Sequence, residues 1–403
     1  MANVIIPRGM STEEKITLMR QDARYDVTDQ EAPIAAECLG QIRQNIRGVK
    51  ALPKVPKVFL SNDCIFNCAY CDCRQGKECR RYGSTPRELA ELAYRQAIGS
   101  GHGIFITSAI IRTPDYTEEL IIETMKILRR QMGYTGYLHA KVMPGTDPAL
   151  IREAGRYANR LSVNIEVAQS EAYRHIARNK NKQNILTPMG QISEMIARAK
   201  ADASRRTPAF AMSQTTQMMA GSMGEDDFTI LNLSGALYQK YRLSRIYYTA
   251  FQYLEHAKGY DHLREVRTPA WRMARLYQAD RLMQLYGFTA EEIAPPTARH
   301  LSQTLDPKAA WAMRNLHLFP LEVNRAEYEQ LLRVPGIGVT YAERIIQARR
   351  YGPVTHDTLR ALGIAQKRCR HFITCGGKYT GDTCEQVEQL SFLLADSVER
   401  AAS

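Results

Sequence analysis

Between residues 57 and 251, short apolar runs alternate with longer stretches that have a helical pattern. The apolar runs are 57–61, 104–108, 137–142, 161–167, 209–213 and 245–251. The helical stretches between them are 85–99, 116–132, 147–157, 188–201 and 226–241. This alternation predicts parallel strands joined by right-handed crossovers. Six such units indicate an α/β fold, a partial (β/α)6 barrel whose chemistry is expected at the carboxyl ends of its strands.

Three cysteines follow the first apolar run in a Cys-x3-Cys-x2-Cys spacing, at Cys64, Cys68 and Cys71. Their thiolates can converge on one centre if the loop curls like a helical turn. Thiolate ligands suit both iron–sulfur clusters and zinc. Three thiolates would leave one iron of a cubane cluster open, whereas zinc would take Cys73 or Cys79 as a fourth ligand. The crowding of cysteines in this one segment indicates metal binding rather than disulfides.

The cysteine spacing, Tyr70 directly before the third cysteine and the preceding apolar run resemble the radical S-adenosylmethionine (radical SAM) enzymes. The resemblance implies that the three cysteines hold a [4Fe-4S] cluster and that S-adenosyl-L-methionine binds its open iron. It also implies a 5′-deoxyadenosyl radical that abstracts hydrogen from a substrate. The cofactor supplies this chemistry and the protein positions it.

The same resemblance implies cofactor contacts from polar residues near the ends of the strands, and it assigns no catalytic residue. The chain departs from the family's Gly-Gly-Glu-like segment after the second run, where Ser108 stands. In the fourth run, alternation puts Asn164 and Glu166 on one face. An inward Glu166 paired with Lys141 is the alternative. The full predicted set is Tyr70, Ser108, Asn164, Glu166 and Gln214.

A basic loop at 177–182, which includes Lys180, contacts phosphates or the carboxylate of S-adenosyl-L-methionine, or else is a solvated surface. The formal net charge of +12 and the pI near 9.2 favour a polyanionic partner. A basic enzyme of small molecules is the alternative. No run approaches the ~20 apolar residues of a membrane helix, and the first residues lack the apolar core of a signal peptide. We therefore expect a cytoplasmic protein.

Residues 328–346 resemble a helix-hairpin-helix DNA-binding motif. Two glycines permit a tight hairpin, and the backbone N–H groups that open the following helix form an anion site. The resemblance implies contacts to a DNA phosphate that carry no base information. A degenerate second hairpin is predicted at 351–364. The alternative is a hairpin that serves packing or a protein partner. The predicted contacts are Gly336, Ile337, Gly338, Thr340 and Arg344.

Over nearly its whole length the chain resembles radical SAM proteins assigned to DNA modification or repair, which are often encoded beside a uracil-DNA-glycosylase-like protein. The expected organisation is a helical lead-in at 1–50, the barrel at 51–265, a helical connector at 266–325 and an all-α helix-hairpin-helix domain at 326–403. The implied partners are DNA, single-stranded or damaged, an electron donor such as flavodoxin or ferredoxin, and the glycosylase-like protein.

Two other classes of function stay open at this stage. One is a radical SAM enzyme of RNA, tRNA or a small molecule whose hairpin docks a protein. The other is a DNA-binding iron–sulfur redox sensor. The last three cysteines lack tight pairing, which favours structural thiols over a second cluster, at Cys369, Cys375 and Cys384.

Overall fold

The computed structural model describes residues 10, 12–22, 55–100, 103–202, 210–254, 259–381 and 387–395. The rest of the predicted lead-in and Cys384 lie outside these residues. The chain forms two compact units. The first comprises Met1–Glu225 and Ala236–Thr268, and the second comprises Asp226–Gly235 and Pro269–Ser403.

The first unit contains one parallel sheet whose six strands lie side by side in the order of the chain. The strands are β1 (Lys57–Phe59), β2 (Ile104–Thr107), β3 (Leu138–Lys141), β4 (Arg160–Ser162), β5 (Ser213–Ala220) and β6 (Arg245–Ala250). Sequential order with parallel pairing throughout confirms the predicted α/β architecture of strand–helix repeats. In such a sheet the loops after the strands meet at one edge.

Helices lie before and between the strands, and several of them begin at a side-chain cap. They are α1 (Thr12–Asp22), α2 (Pro86–Ser100), α3 (Pro114–Lys126), α4 (Pro148–Tyr157), α5 (Ala172–Ile176), α6 (Lys182–Ala201) and α7 (Asp227–Tyr241). Thr113 and Asp147 accept hydrogen bonds from the first turns of α3 and α4, and each of these helices opens with a proline. Asn181 forms a capping box at the start of α6. Side-chain caps satisfy N–H groups that lack partners inside the helix.

The two faces of the sheet differ in polarity. Ile106, Ala140 and Leu161 share one face and are fully buried. The other face carries polar side chains, among them His139, whose Nε2 lies 2.9 Å from the Oγ of Ser162. The apolar face packs under the helices and holds most of the core. The polar face is available to a site inside the partial barrel.

The predicted fifth strand was wrong in its position. The prediction placed it at 209–213 and ended it before Gln214, whereas β5 runs from Ser213 to Ala220. Its first five residues, Ser-Gln-Thr-Thr-Gln, are polar, and this obscured the strand in the sequence. Pairing with β4 on one side and β6 on the other gives its backbone partners on both sides and makes it an internal strand of the sheet. Tertiary pairing therefore outweighed local polarity.

The second unit is mainly helical. Its helices after α7 are α8 (Ala270–Tyr286), α9 (Ala290–Ile293), α10 (Pro307–Arg314), α11 (Tyr328–Arg333), α12 (Val339–Ala348), α13 (His356–Ala361), α14 (Gln366–Cys369) and α15 (Val387–Leu394). A three-stranded sheet adds β7 (Leu321–Glu322), β8 (Ile373–Cys375) and β9 (Lys378–Tyr379). The expectation that the C-terminal part is all-α missed this small sheet, because strands of two or three residues leave no periodic pattern.

Candidate active site and candidate nucleic-acid interface

The cysteine loop leaves the carboxyl end of β1 and is held by backbone hydrogen bonds to neighbouring loops. The N–H of Ile65 donates to Ile110 O at 2.9 Å, and that of Ala69 donates to Ile176 O at 2.8 Å. The N–H of Cys71 donates to Cys68 O at 3.2 Å, which is the turn that the spacing predicts. The loop is thus fixed by the segment that follows β2 and by the last residue of α5.

Arg81 secures the return of this loop. Its guanidinium donates to the carbonyl oxygens of Cys73 at 2.8 Å, Arg74 at 2.6 Å and Lys77 at 2.9 Å, and also to that of Asn62. A rigid fork of five N–H donors suits four carbonyls that converge on one point. The sequence analysis did not single out this residue. The only signal was a pair of arginines directly after the cysteine-rich segment.

The three predicted ligands differ in their surroundings. Cys64 and Cys68 are buried, and burial raises the pKa of both thiols, that of Cys68 to about 12. A hydrogen bond from Cys73 lowers the pKa of Cys71, which is partly exposed. Negative charge on Cys71 raises the pKa of Cys64, and negative charge on Cys71 and Cys64 raises that of Cys68, which indicates that the sulfurs are close neighbours. A metal would draw all three into the thiolate form.

Lys180 places a buried positive charge beside these thiols. Its Nζ lies 2.8 Å from Glu166 Oε1 and donates to Tyr70 Oη at 3.1 Å. Burial opposes the charge, but Glu166 and then Cys68 raise the pKa of Lys180 above its ordinary value. Lys180, from the basic loop, therefore contacts two predicted cofactor residues, Tyr70 and Glu166. Glu166 forms an ion pair with Lys180, and the alternative pairing with Lys141 stays a prediction.

Glu166 owes its position to an irregularity in the sheet. Ser162 pairs with Thr215, but Glu166 pairs with Met218, so four steps along one chain match three along the other. The extra residue is accommodated at Glu166, whose backbone has a positive φ of 64°. Bulges of this kind re-aim a side chain and are common beside active sites. Simple alternation from Ser162 therefore does not predict the direction of Glu166.

Ser108 and Asn164 lie just past the carboxyl ends of β2 and β4, at the edge that also bears the cysteine loop. Both are buried, at 7% and 8% exposure. The Ser108 hydroxyl donates to Ala109 O at 2.7 Å. Their positions agree with the predicted edge, and their contact with a cofactor stays a prediction.

The assignment of Gln214 to the cofactor was wrong. Gln214 is the second residue of β5 and not part of the loop after it. Its side-chain N–H groups donate to Met189 O at 3.2 Å and Tyr241 O at 2.7 Å, which belong to α6 and α7. Gln214 therefore faces the helical layer and ties two helices to the sheet, far from the carboxyl edge.

Within the described residues, no group of three or more His, Cys, Asp or Glu side chains is arranged to hold a single metal ion. A four-iron cluster takes each thiolate on a different iron, so its ligands lie farther apart than those of one ion. The donor set on the loop is three soft thiols beside a buried ammonium. This set fits an anionic thiolate-bound cluster.

In the second unit, α11 and α12 are joined by a five-residue loop that contains the predicted hairpin. Gly336 has a φ of 89°, and a Cβ there would lie 3.3 Å from both Arg368 Cβ and Cys369 N. Gly338 precedes α12, and no side chain caps this ten-residue helix. Thr340 is exposed in its first turn. Backbone N–H groups at such an end suit an anion.

Ile337 must be removed from the predicted contacts. Its N–H donates to Val334 O at 3.1 Å and its side chain is buried at 1% exposure. Its carbonyl accepts a hydrogen bond from Lys308, a buried lysine. Burial lowers the pKa of Lys308 to about 7. Ile337 and Lys308 thus hold the hairpin from within, and no sequence pattern indicates this anchor.

Arg344 lies midway along α12, and its Nη1 donates to Leu362 O at 2.9 Å. Leu362 opens a second loop, between α13 and α14, at the predicted position of the second hairpin. Two described C-terminal cysteines are buried, and burial raises the pKa of Cys369 to about 11 and that of Cys375 to about 12. Protonated buried thiols agree with a structural role.

Comparison with known proteins does not assign a family to this chain. No protein-family model matches the chain, and no curated protein matches it. Among solved structures, the FeFe-hydrogenase maturase HydG from Carboxydothermus hydrogenoformans is 15% identical over 67% of this chain and 64% of its own, with a TM-score of 0.44. This chain therefore spans less than two thirds of HydG.

Two further similar structures carry bound groups. SuiB from Streptococcus suis, bound to S-adenosylmethionine, is 10% identical over 68% of this chain and 58% of its own, with a TM-score of 0.41. TsrM from Kitasatospora setae is a radical S-adenosylmethionine methyltransferase with cobalamin and a [4Fe-4S] cluster bound. It is 10% identical over 49% of this chain and 37% of its own, with a TM-score of 0.35. No described helix is long and apolar enough to cross a membrane.

Proposed function

We propose that this protein is a radical SAM enzyme that acts on DNA. The observation that carries the enzyme class is the Cys-x3-Cys-x2-Cys loop at the carboxyl end of β1, in a parallel sheet of six strands. Catalytic groups of barrel folds collect at this edge. The ligands of the proposed [4Fe-4S] cluster are Cys64, Cys68 and Cys71.

The residues around the loop fit such a cluster and S-adenosyl-L-methionine. Buried Lys180 offsets the negative charge of three thiolates, and its pairing with Glu166 fixes the ammonium beside them. Tyr70, Ser108 and Asn164 supply hydroxyl and amide groups near the same edge for the ribose and the methionine. When bound, the cluster and S-adenosyl-L-methionine supply an electron and a carbon-centred radical. A protein such as flavodoxin or ferredoxin would supply the electron.

DNA is the proposed substrate class because of the second unit. The uncapped start of α12 presents N–H groups, with Thr340 exposed beside them and Arg344 one turn later. From Arg344 to Lys378 the sequence has eight Lys or Arg and one acid, Asp357. Contacts of this kind hold a phosphate backbone without reading bases. A target base must also leave the duplex, which costs least in single-stranded or damaged DNA. The proposed partners are such DNA and, from the family resemblance alone, a uracil-DNA-glycosylase-like protein.

The first experiment tests the cluster. Protein purified without oxygen should contain iron and sulfide and absorb visible light, and alanine at any of the three loop cysteines should abolish that absorbance. Cys73→Ala and Cys79→Ala serve as matched controls that should keep it. Stoichiometric zinc without sulfide would refute the cluster, and equal loss in the controls would refute the choice of ligands.

The second experiment tests the substrate. The reduced protein should cleave S-adenosyl-L-methionine to methionine and 5′-deoxyadenosine, and DNA should increase the yield of 5′-deoxyadenosine. Parallel reactions contain RNA or no nucleic acid. If RNA but not DNA increases the yield, the result would favour an RNA-modifying enzyme. If neither nucleic acid increases it, the result would favour an enzyme of a small molecule. A cluster with no cleavage at all would favour a redox sensor.

The third experiment tests the hairpin through Thr340→Asp. A carboxylate at the start of α12 stabilises the helix but repels a phosphate, so DNA affinity should fall while the fold is kept. The slope of log affinity against log salt should fall by about 0.9 for each phosphate that the variant no longer neutralises. Thr297→Asp makes the same charge change at another exposed threonine of this unit. Equal affinity for Thr340→Asp and Thr297→Asp would exclude the hairpin as the DNA site.

Thr340→Asp is a more specific test than Gly338→Val, which would also block the approach of a phosphate. A Cβ at position 338 would lie 3.1 Å from Tyr286 Oη, so a valine there also disturbs packing. Weaker binding by Gly338→Val would therefore not separate a blocked phosphate site from a shifted hairpin.

A further inference from the structure

A cavity of about 420 Å³ lies beside the carboxyl end of α12, in the second unit. Its volume falls within the range of about 300–1,000 Å³ typical of small-ligand pockets. The proposed phosphate site lies at the other end of the same helix. The residues that define its chemistry are Arg344, Gln347, Tyr351, Pro353, Thr358 and Leu362.

Tyr351 is the most distinctive of these residues. Its side chain belongs to the turn after α12, and the residue is 92% exposed. An aromatic ring this exposed contributes little to the core, yet it stands at the rim of a cavity. Aromatic rings in such places serve as stacking platforms for bases. Pro353 and Leu362 add apolar surface to the same cavity.

Polar groups accompany the ring. The guanidinium of Arg344 uses one N–H group on Leu362 O, and this bond fixes it at the cavity. Arginine has five such donors, so the group retains capacity for a phosphate oxygen. Gln347 lies three residues later and is exposed. Its amide can both donate to and accept from the edge of a base.

We propose that this cavity binds one unstacked nucleotide of single-stranded DNA. The base stacks on Tyr351, the amide of Gln347 contacts its edge, and Arg344 binds an adjacent phosphate. In a duplex the bases are stacked on one another, so this site distinguishes single strands from duplex. The inference rests on the proposed function, since it adds a base site to the helix whose other end is proposed to hold a phosphate.

The length of α12 sets the length of the probe. At about 1.5 Å per residue the helix extends about 15 Å, which a strand with the duplex rise of about 3.4 Å covers in about four nucleotides and a more extended, unstacked strand covers in fewer. A single strand of about twelve nucleotides therefore spans both ends of α12. The assay is fluorescence anisotropy of the full-length protein with a labelled strand of this length and with its blunt duplex. An RNA strand of the same sequence forms a third arm.

The variants are Tyr351→Ala, Tyr351→Phe and, as a matched control, Phe392→Ala. Phe392 is another aromatic residue of this unit, with 83% exposure. Loss of one base–aromatic stack should weaken single-strand binding by about tenfold for Tyr351→Ala. Duplex affinity should change by less than about twofold. Tyr351→Phe keeps the ring and should bind like the parent, as should Phe392→Ala.

The outcomes separate this inference from the proposed function. If the parent binds neither strand nor duplex, the DNA proposal fails and the base site fails with it. If Thr340→Asp weakens binding but Tyr351→Ala does not, the hairpin stands and the base site alone is overturned. Equal loss on strand and duplex for Tyr351→Ala also overturns the base site. Tighter binding of the RNA strand by the parent overturns the assignment to DNA.

Discussion

Replacement of Lys308 by methionine should make the stability of the second unit less dependent on pH. Lys308 is buried at 7% exposure, and its Nζ lies 4.8 Å from the centre of the Tyr286 ring and donates to Ile337 O. Burial lowers its pKa from 10.5 to about 7. The titratable groups that act on it are Asp306, Arg368, Arg333 and Cys369.

The sign follows from proton binding. Between pH 7 and pH 10.5 the unfolded chain binds a proton at Lys308 that the folded chain has released, so stability rises with pH in this window. Below pH 7 the folded unit bears the full cost of a buried charge. Each pH unit contributes at most about 1.36 kcal/mol. From pH 7 to pH 9 the parent should gain on the order of 2 kcal/mol from this residue.

Both tryptophans of the chain, Trp271 and Trp311, belong to the second unit, so their fluorescence reports its unfolding in urea. Lys308→Met should gain stability relative to the parent at pH 7 by about 2 kcal/mol more than at pH 9. Loss of the hydrogen bond to Ile337 O lowers the stability of Lys308→Met by the same amount at pH 7 and at pH 9, so it cancels in this comparison. Lys367→Met, at an exposed position, should show no such difference. An equal difference at both pH values would show that Lys308 titrates as in water.

Three further changes test other parts of the structure. Glu166→Gln should weaken binding of S-adenosyl-L-methionine to the cluster-loaded protein in calorimetric titration, and it should lower the melting temperature because Lys180 loses its buried partner. The double variant Glu166→Gln with Lys180→Met should recover part of that loss. Equal melting temperatures for the parent and Glu166→Gln would refute the coupling between Glu166 and Lys180. Burial raises the pKa of Glu118 from 4.5 to about 8. The stability of the parent's first unit, measured by hydrogen exchange, should therefore fall as pH rises from 4.5 to 8. Glu118→Gln should show no such fall. Gly336→Ala should destabilise the second unit more than Gly287→Ala, since both have positive φ but only Gly336 is crowded; equal urea midpoints would show that the crowding is relieved at no cost.

The order of elements could be predicted from the sequence because it depends on local patterns. Apolar runs bounded by helical stretches located five of the six strands of the large sheet to within a few residues. The apolar run before the cysteines placed their loop at the carboxyl end of β1, and three cysteines in one short loop need no distant segment to come together. The glycines at positions 336 and 338 likewise marked a tight turn between two helices. Periodicity and turn chemistry act between near neighbours.

Only the tertiary structure decided which side chains meet. Lys180 reaches Glu166 because an extra residue in the chain after β4 turns the glutamate and the loop after α5 returns to the cysteine loop. Gln214 faces the helices because pairing with two neighbours extends β5 through polar residues. Lys308 supports a hairpin that lies about thirty residues later in the chain. Such contacts form when distant segments pack, and packing energy outweighs the local preferences that a sequence displays.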